Sequence, residues 1–308
     1  VLIAIMKFKV HPFISLIVGA ILMGLLNGLG ATKITGGLGA GFGGTLTGVG
    51  IVIALGVILG QLLHESGAAH QIAAMMLKAV GRKNAPLAMN MTGIVVSIPV
   101  FFDAAFVLLV NLLKSISREG KIPFITLVTA LGVGLITTHC LVIPTPGPLA
   151  VASNMGINLG VFFIYALIVA VIASVIGGVI YGGWLGKRDK YKNDFANAFD
   201  DEMREEETQS GEKPSGGLGV MLILLPIIMI LAGTVGGQFV EAGTKAHSFL
   251  MFIGDKNIAL LVGVLVAFVS LKKYIKDSFE EIITKAAAST GPILMITGAG
   301  GSFGNIIN

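Results

Sequence analysis

The sequence predicts an all-α, polytopic membrane protein, and two properties of its composition lead to that prediction. Of the 308 residues, 54% are hydrophobic and only 12% are charged, whereas soluble domains carry about 25% charged residues. The chain also has 43 glycines and only 7% aromatic residues, a balance that favours close packing of membrane helices through small side chains. Soluble, disordered and collagen-like classes are therefore excluded, and the lipid bilayer is the expected environment.

Seven stretches are predicted to span the membrane, because a spanning helix needs about 20 mostly apolar residues. They are residues 12–29, 45–63, 124–143, 159–185, 218–239, 258–271 and 287–307. An eighth apolar stretch, residues 85–113, is too long for one span and too short for two. Pro99 near its middle removes a backbone donor and breaks the helix. We therefore predict a re-entrant hairpin with its tip at residues 97–103, which protein or water must cover at membrane depth.

The basic residues support this topology, because Lys and Arg accumulate in cytoplasmic loops. If the hairpin does not cross, all but three of the 21 Lys and Arg residues lie on one face, and only Lys33, Lys245 and Lys256 lie on the other. A full crossing would separate the basic residues at the two ends of the hairpin. The Lys-rich face is therefore predicted to be cytoplasmic, in a multi-pass protein of the cell (inner) membrane. The basic residues are not interleaved with aromatic ones, so no nucleic-acid partner is expected.

Residues 189–217 form the one long polar segment, which is predicted to be a solvated cytoplasmic linker. Six acidic residues lie close together in it: Asp200, Asp201, Glu202, Glu205, Glu206 and Glu207. The linker separates a first membrane half, residues 1–188, from the start of a second half, residues 218–308. The first half contains the hairpin at 85–113 and a broken helix at 123–155.

The two halves are predicted to be inverted repeats. An offset of 244 residues places Thr45 over Ser289, Gly56 over Gly300, Gly60 over Gly304 and Gln61 over Asn305. The topology makes the first of these helices run inward and the second outward, as an inverted-repeat transporter requires. On this interpretation the chain is a fragment, and the rest of the second half lies beyond Asn308.

The hairpin tip supplies the first candidate site residues. Ser97 precedes Pro99, and Asp103 follows two phenylalanines. A charged Asp at the centre of a membrane helix costs about 2.5–3.5 kcal/mol on insertion scales, so an intramembrane carboxylate is a functional candidate. Capping of the second hairpin helix is an alternative role for Asp103, and the two roles are compatible.

The broken helix supplies the second group. Thr137, Thr138 and His139 end one half-helix, and the prolines between 144 and 148 prevent its continuation until Leu149. Helix N-termini present amide donors and partial positive charge, which suit a carboxylate or phosphate. The segment therefore predicts a site for a small organic anion. Histidine titrates near cellular pH, so His139 is a candidate for substrate binding and proton transfer; a hydrogen bond to a nearby carbonyl is the structural alternative.

Other polar features carry weaker signals. Glu65 lies just past a predicted span, where a solvated end residue is the commoner role, but it is kept as a coupling candidate. His64 and His70 lack the four-residue spacing of a helical metal pair, and the single Cys140 excludes an internal disulfide or thiolate cluster. The glycine-rich residues 36–50 lack the strand and the Gly-Lys-Ser/Thr of a phosphate-binding loop, so close helix packing or a hinge is predicted. No cofactor or metal is expected.

Taken together, these residues resemble the gluconate permease family, the bacterial gluconate:proton symporters of the wider ion transporter superfamily. The matching segments are Gly43-Gly44-Thr45-Leu46, Leu62 to Gly67, residues 98–103 with 106–109, and Thr138-His139 followed by Pro146-Gly147-Pro148. The resemblance implies uptake of gluconate or a related hydroxy acid, driven by a proton gradient through a moving transport domain. It also implies that Asp103, Thr138 and His139 fall in the substrate and coupling region.

The chain departs from that family at two places. Where the family often has Pro-Pro-His-Pro-Gly-Pro, this chain has Ile143-Pro144-Thr145-Pro146-Gly147-Pro148. Where the family often has a second Glu, it has His64. Both changes alter the polarity expected beside the site.

The sequence therefore predicts a proton-coupled symporter, not an enzyme, that imports gluconate or a related small hydroxylated carboxylate. The predicted substrate contacts are Ser97, Asp103, Thr137, Thr138, His139 and Gly147, and the predicted coupling residues are Asp103, His139 and Glu65. The alternatives are an intramembrane enzyme, disfavoured because no Gly-x-Ser-x-Gly elbow occurs, and a passive organic-anion channel, disfavoured by inverted repeats. The identity of the acid, proton against sodium coupling, and assembly into a homo-oligomer stay open.

Overall fold

The computed structural model describes residues 1–100, 102–194, 212–241 and 243–307, and helices dominate these ranges. The α-helices of the described residues, α1 to α15 in chain order, are Leu2–Met6, Pro12–Leu26, Ala31–Glu65, Ala68–Val80, Ala85–Val96, Phe102–Gly120, Phe124–Leu141, Pro146–Asn154, Leu159–Ser174, Tyr181–Gly186, Gly216–Leu231, Gly237–Phe239, Lys245–Ile253, Lys256–Leu271 and Phe279–Ile307. No strand occurs in the described ranges, and the all-α prediction is confirmed.

Six of the described helices are long and apolar enough to cross a membrane. They are Ala31–Glu65, Phe124–Leu141, Leu159–Gly186, Gly216–Thr234, Lys256–Tyr274 and Phe279–Ile307. Two of them pass through π-helical turns, Val175–Ile180 and Ala232–Gly236. The seventh predicted span forms α2, which is shorter at 15 residues. The prediction of a polytopic membrane protein is confirmed.

The glycine-rich segment 36–50 is part of α3, which runs for 35 residues and begins well before the predicted span at 45. Its glycines allow α15 to approach closely: a Cβ at Gly41 would lie 2.5 Å from the carbonyl oxygen of Gly301. The two helices are antiparallel, because Asn305 Nδ2 donates to the Gly37 carbonyl at 2.9 Å at one end. At the other end Lys285 Nζ donates to Glu65 Oε1 at 2.8 Å.

Residues 85–120 fold back on themselves, as a re-entrant hairpin does. Helices α5 and α6 are separated by a short turn at 97–101, of which Phe101 lies outside the described residues. Arg82 Nη1, just before α5, lies 2.6 Å from Glu119 Oε2 at the end of α6. Both side chains are more than half exposed, so this ion pair contributes little stability. It does show that the two ends of the hairpin lie next to each other.

Asn90 anchors the hairpin to the helices behind it. Its side chain is fully buried. Asn90 Nδ2 donates to the carbonyls of Ala130 at 2.9 Å and of Ser174 at 3.2 Å, and the Ser174 hydroxyl donates to its Oδ1 at 3.2 Å. A buried amide is costly unless it is paired, and these bonds pair it against α7 and α9. The first hairpin helix is therefore fixed against α7 and α9.

The predicted linker is only partly described. Helix α10 ends at Gly186, and α11 begins at Gly216 after a Ser215 side chain that accepts the Leu218 N–H. Residues 195–211, which contain the six acidic residues of the prediction, lie outside the described residues.

Cysteine labelling tests the hairpin. In a Cys140→Ser background, single cysteines at Arg82 and Glu119 are expected to react with a membrane-impermeant maleimide from the same, cytoplasmic side, because their side chains meet in an ion pair. A cysteine at Lys33, at the start of α3, is the control expected to react only from the opposite side. Labelling of positions 82 and 119 from opposite sides would show that residues 85–113 cross the membrane.

Candidate functional site

The broken helix is interrupted at residues 142–145. Helix α7 continues two residues beyond His139 and ends at Leu141. Helix α8 restarts at Pro146, so the predicted restart at Leu149 is wrong by three residues. Proline is favoured at the first position of a helix because its missing N–H is not needed there. The Thr145 hydroxyl donates to the Val142 carbonyl, and the Leu149 N–H donates to the Thr145 carbonyl at 3.1 Å.

The N-terminus of α8 has an unusual donor pattern. Pro146 and Pro148 have no N–H, and the Leu149 N–H is already bonded within the turn. Gly147 is therefore the one residue of 146–149 whose N–H makes no backbone hydrogen bond among the described residues. Gly147 is exposed, and no atom lies within 4 Å of a Cβ built on it. A helix N-terminus concentrates partial positive charge at such a donor.

This N-terminus opens on a cavity of about 700 Å³ between α3, α15, the hairpin turn and the broken helix. Its polar walls come from distant parts of the chain: Gln61 and His64 of α3, His139 and Cys140 of α7, Gly147 of α8, and Ser289 and Thr297 of α15. The backbone of Pro99 and Val100 brings the hairpin turn to the same cavity. Interrupted backbone from two segments therefore meets at one hollow.

A second cavity of about 530 Å³ adjoins the first. Gly147 and Thr297 line both cavities. The second is otherwise lined by the first half of α3, including Thr45, by the late turns of α15, including Asn305, and by Ala150 and Val151 of α8. Because α3 and α15 are antiparallel, the two cavities succeed one another along the helix pair, and Gly147 lies where they join.

Three predicted contact residues have hydroxyl groups with different surroundings. Ser97 is fully buried, and its hydroxyl donates to the Leu135 carbonyl at 2.8 Å. The Thr137 hydroxyl donates to the Val133 carbonyl, one turn earlier in its own helix, at 2.6 Å. Thr138 is fully buried, and its Oγ1 has no hydrogen-bond partner among the described residues. The hydroxyls of Ser97 and Thr137 are therefore already bonded to backbone carbonyls, whereas the Thr138 hydroxyl is unpaired but buried away from the cavity lining.

The two carboxylates lie at different places. Asp103 is the second residue of α6, directly after the hairpin turn, and its side chain lies outside the described part of the structure. Glu65 ends α3, accepts a hydrogen bond from Gln61 Nε2 at 2.9 Å, and pairs with Lys285. Lys285 also pairs with Asp277. Glu65 is thus part of an ion-pair network between α3 and α15, next to the cavity-lining His64 but not itself on the cavity wall.

His139, His64 and His70 also lie at different places relative to the cavity. His139 lines the large cavity, and with Thr145 it also lines a small pocket behind the broken helix. His64 lines the large cavity from the opposite helix. His70 lies on α4 outside the cavity, where burial, together with the charge of Lys213, lowers its pKa.

Sequence reasoning missed the contribution of α15 and of Gln61 to the cavity. The signal was present in the repeat, since the offset of 244 residues aligns Thr45 with Ser289 and Gln61 with Asn305. Thr45 and Asn305 line the second cavity, and Ser289 and Gln61 line the first. Each aligned pair thus occupies corresponding places in the two cavities. Cys140 is exposed on the wall of the first cavity.

Comparison with known proteins gives a consistent set of relatives. The model of a family described as GntP family permease matches residues 1–308. An uncharacterized permease of Haemophilus influenzae is 36% identical over 316 residues, which cover 98% of this chain and 64% of that protein. The low-affinity gluconate transporter of Escherichia coli K12 is 33% identical, covering 98% of this chain and 67% of that protein. The D-serine transporter DsdX of the same strain is 32% identical, covering 100% and 68%.

The chain therefore spans less than two thirds of the length of the Haemophilus relative and about two thirds of the other two. No solved structure gives a significant match.

Proposed function

The chain belongs to the GntP family of permeases, and from this membership we propose that it forms part of a proton-coupled secondary transporter that imports gluconate or a related small hydroxylated carboxylate. The family and the named relatives are permeases and transporters rather than enzymes, and the chain is a multi-pass protein of the cell membrane. The intramembrane enzyme considered from the sequence is set aside.

The cavity of about 700 Å³ is the observation that carries the proposal. Small-molecule sites typically have volumes of about 300–1,000 Å³, with mostly apolar walls and a few placed polar groups. The wall here has that character, and its polar groups are hydrogen-bonding side chains of uncharged type together with two histidines. A six-carbon sugar acid fits such a volume, and its hydroxyl groups match such a wall.

The N-terminus of α8 is the proposed binding point for the carboxylate. The N–H of Gly147 points to the start of the helix, where the helix dipole favours negative charge. His139 lies on the same cavity wall, at the end of the preceding half-helix. Thr138, the residue before His139, does not line the cavity, but its buried hydroxyl has no partner among the described residues. We propose Gly147 and His139 as the anion-binding group, with Thr138 behind them as a further donor.

Proton coupling follows from the charge balance of the cavity. Its described lining contains no Lys, Arg, Asp or Glu, so a carboxylate that enters meets no fixed countercharge there. Burial of an unpaired charge is costly, and a proton taken up with the anion removes that cost. We propose that Asp103 and His139 carry this proton. Glu65 remains a weaker candidate, because its carboxylate is already paired with Lys285.

Alternating access is supported by the repeat. In the sequence alignment with an offset of 244 residues, the middle of α3 (residue 48) falls within one residue of the middle of α15 (residue 293). Residues 1–188 and 218–308 would then be two oppositely oriented units joined by the linker. Transporters of this design rock one unit against the other around a central site, whereas a passive channel needs no such arrangement.

Reconstituted vesicles test the proposal. We expect an inward gradient of one pH unit, worth about 1.4 kcal/mol per proton, to drive about tenfold accumulation of labelled gluconate. The control is the same vesicle with a protonophore, in which gluconate should only equilibrate. If gluconate only equilibrates in vesicles without the protonophore as well, a passive channel would be favoured. Accumulation that depends on a sodium gradient and not on the pH gradient would show that sodium, not the proton, is the coupling ion.

A further inference from the structure

We infer that His64 is the residue that recognises a hydroxyl group of the transported acid, and so distinguishes hydroxylated from plain carboxylates. The inference deepens the proposed function and rests on it. His64 occupies the last turn of α3 and lines the large cavity on the side formed by α3 and α15. The proposed carboxylate-binding group, at Gly147 and His139, lies on the broken helix that forms another wall.

The imidazole of His64 has hydrogen-bonding capacity that the described residues do not use. Its Nδ1 is buried and has no hydrogen-bond partner among them. Buried polar atoms are paired in the large majority of cases, and an exception needs an explanation. The torsion that turns a histidine ring about its Cβ–Cγ bond is broad, so the ring can present this nitrogen to the cavity that it lines.

The polar side chains around His64 already have hydrogen-bond or ion-pair partners. Gln61, one turn earlier on the same wall, donates to the Glu65 carboxylate. Glu65 pairs with Lys285, and Lys285 pairs with Asp277. The Ser289 hydroxyl donates to the Lys285 carbonyl at 3.2 Å. At this end of the cavity, His64 is therefore the described side chain with an unsatisfied buried atom.

A hydroxyl is the group that suits this site. A neutral imidazole carries one donor nitrogen and one acceptor nitrogen, and the partner decides which is which. A hydroxyl can both donate and accept, so it pairs with Nδ1 in either tautomer. A carboxylate can pair only with the donor form. The position of His64 is also well defined, because Gly60, one turn earlier, packs directly on the hairpin turn: a Cβ there would lie 2.6 Å from the Pro99 carbonyl oxygen.

Recognition of a hydroxyl is measured by binding. Gluconate and analogues that each lack one hydroxyl are titrated against the reconstituted protein, and binding is followed as protection of the cavity residue Cys140 from a maleimide. We expect His64→Phe, which keeps the ring and loses both nitrogens, to bind gluconate about 3- to 10-fold more weakly, the effect of one lost neutral hydrogen bond. His64→Asn, which keeps a polar group near the Nδ1 position, is expected to recover most of that loss. His247→Phe, on a helix outside the cavity lining, is the matched control and is expected to bind as the wild type does.

The analogues make the test specific. If His64 binds one hydroxyl, the analogue that lacks this hydroxyl binds the wild type more weakly than gluconate does. The same analogue binds the wild type and His64→Phe with equal affinity, because removing the hydroxyl and removing the imidazole nitrogens abolish the same hydrogen bond. Equal weakening of every analogue by His64→Phe would mean that the ring acts through packing, and the inference would be overturned. Wild-type affinity for gluconate in His64→Phe would overturn it as well. If the wild type binds no hydroxy acid at all, the proposed function fails together with this inference.

Discussion

Asp103→Asn is expected to abolish proton-driven accumulation of gluconate while leaving gluconate exchange between the two sides intact. The substitution removes the charge that a proton would neutralise and keeps nearly the same side-chain shape. At the second residue of α6, loss of the carboxylate's attraction to the helix dipole costs only about 0.3–1 kcal/mol. The variant is therefore expected to fold. Coupling fails because an amide cannot take up and release the proton, so the accumulation ratio falls from about tenfold to about one at a gradient of one pH unit.

The measurement compares uptake under a pH gradient with counterflow in vesicles preloaded with unlabelled gluconate. Glu280→Gln is the matched control, since it neutralises an exposed carboxylate in the first turn of α15. It is expected to retain both activities. Accumulation in Asp103→Asn with the pH dependence of the wild type would remove Asp103 from the coupling role, and His139 would become the remaining cavity candidate.

Gly60→Ala is expected to destabilise the protein and impair transport, whereas Gly56→Ala on the same helix is expected to do neither. A Cβ at Gly60 would lie 2.6 Å from the carbonyl oxygen of Pro99 and 3.3 Å from the Cα of Val100, so the hairpin turn must move. Overpacking of this kind costs about 1–3 kcal/mol. At Gly56 no atom lies within 4 Å of an added Cβ, and alanine favours a helix by about 1 kcal/mol over glycine.

Thermal unfolding of the purified variants and their gluconate uptake check this pair. At an unfolding entropy of about 2.1 cal/mol/K per residue, each kcal/mol shifts the melting temperature of this 308-residue chain by about 1.5 °C. The two substitutions act in opposite directions, so the two variants should separate by about 3–6 °C. The transport loss in Gly60→Ala has a second cause, because Gly60 also lines the large cavity. Equal melting temperatures and equal uptake in the two variants would show that the hairpin turn does not rest on α3 at this point.

Much of the architecture follows from local sequence. Apolar length identifies the spanning helices, because the thickness of the bilayer sets the number of residues that cross it. Pro99 marks the hairpin turn and the prolines from 144 to 148 mark the broken helix, because a proline lacks the donor that a continuous helix needs. The distribution of Lys and Arg predicts that both ends of the hairpin lie on one side of the membrane, and the Arg82–Glu119 pair shows that the two ends lie next to each other.

The environment of individual side chains does not follow from local sequence. Ser97 was a predicted substrate contact, but its hydroxyl is bonded to a carbonyl 38 residues away. Glu65 was a coupling candidate, and its partner Lys285 lies 220 residues away. The cavity wall from α15 and the packing of Gly41 against Gly301 also depend on residues far apart in the chain. The role of each candidate in transport stays a prediction.

By itself, the sequence determined which segments are long and apolar enough to span the membrane, and where two segments are interrupted. Both properties are local: the first depends on the free energy of transferring the segment from water to lipid, and the second on prolines within the segment that lack a backbone N–H. Only the tertiary structure decided which buried polar atoms remain unpaired, among them His64 Nδ1 on the cavity wall and Thr138 Oγ1 away from the cavity lining. That outcome depends on which helices meet, because a hydrogen bond requires two partners and the second partner lies elsewhere in the chain.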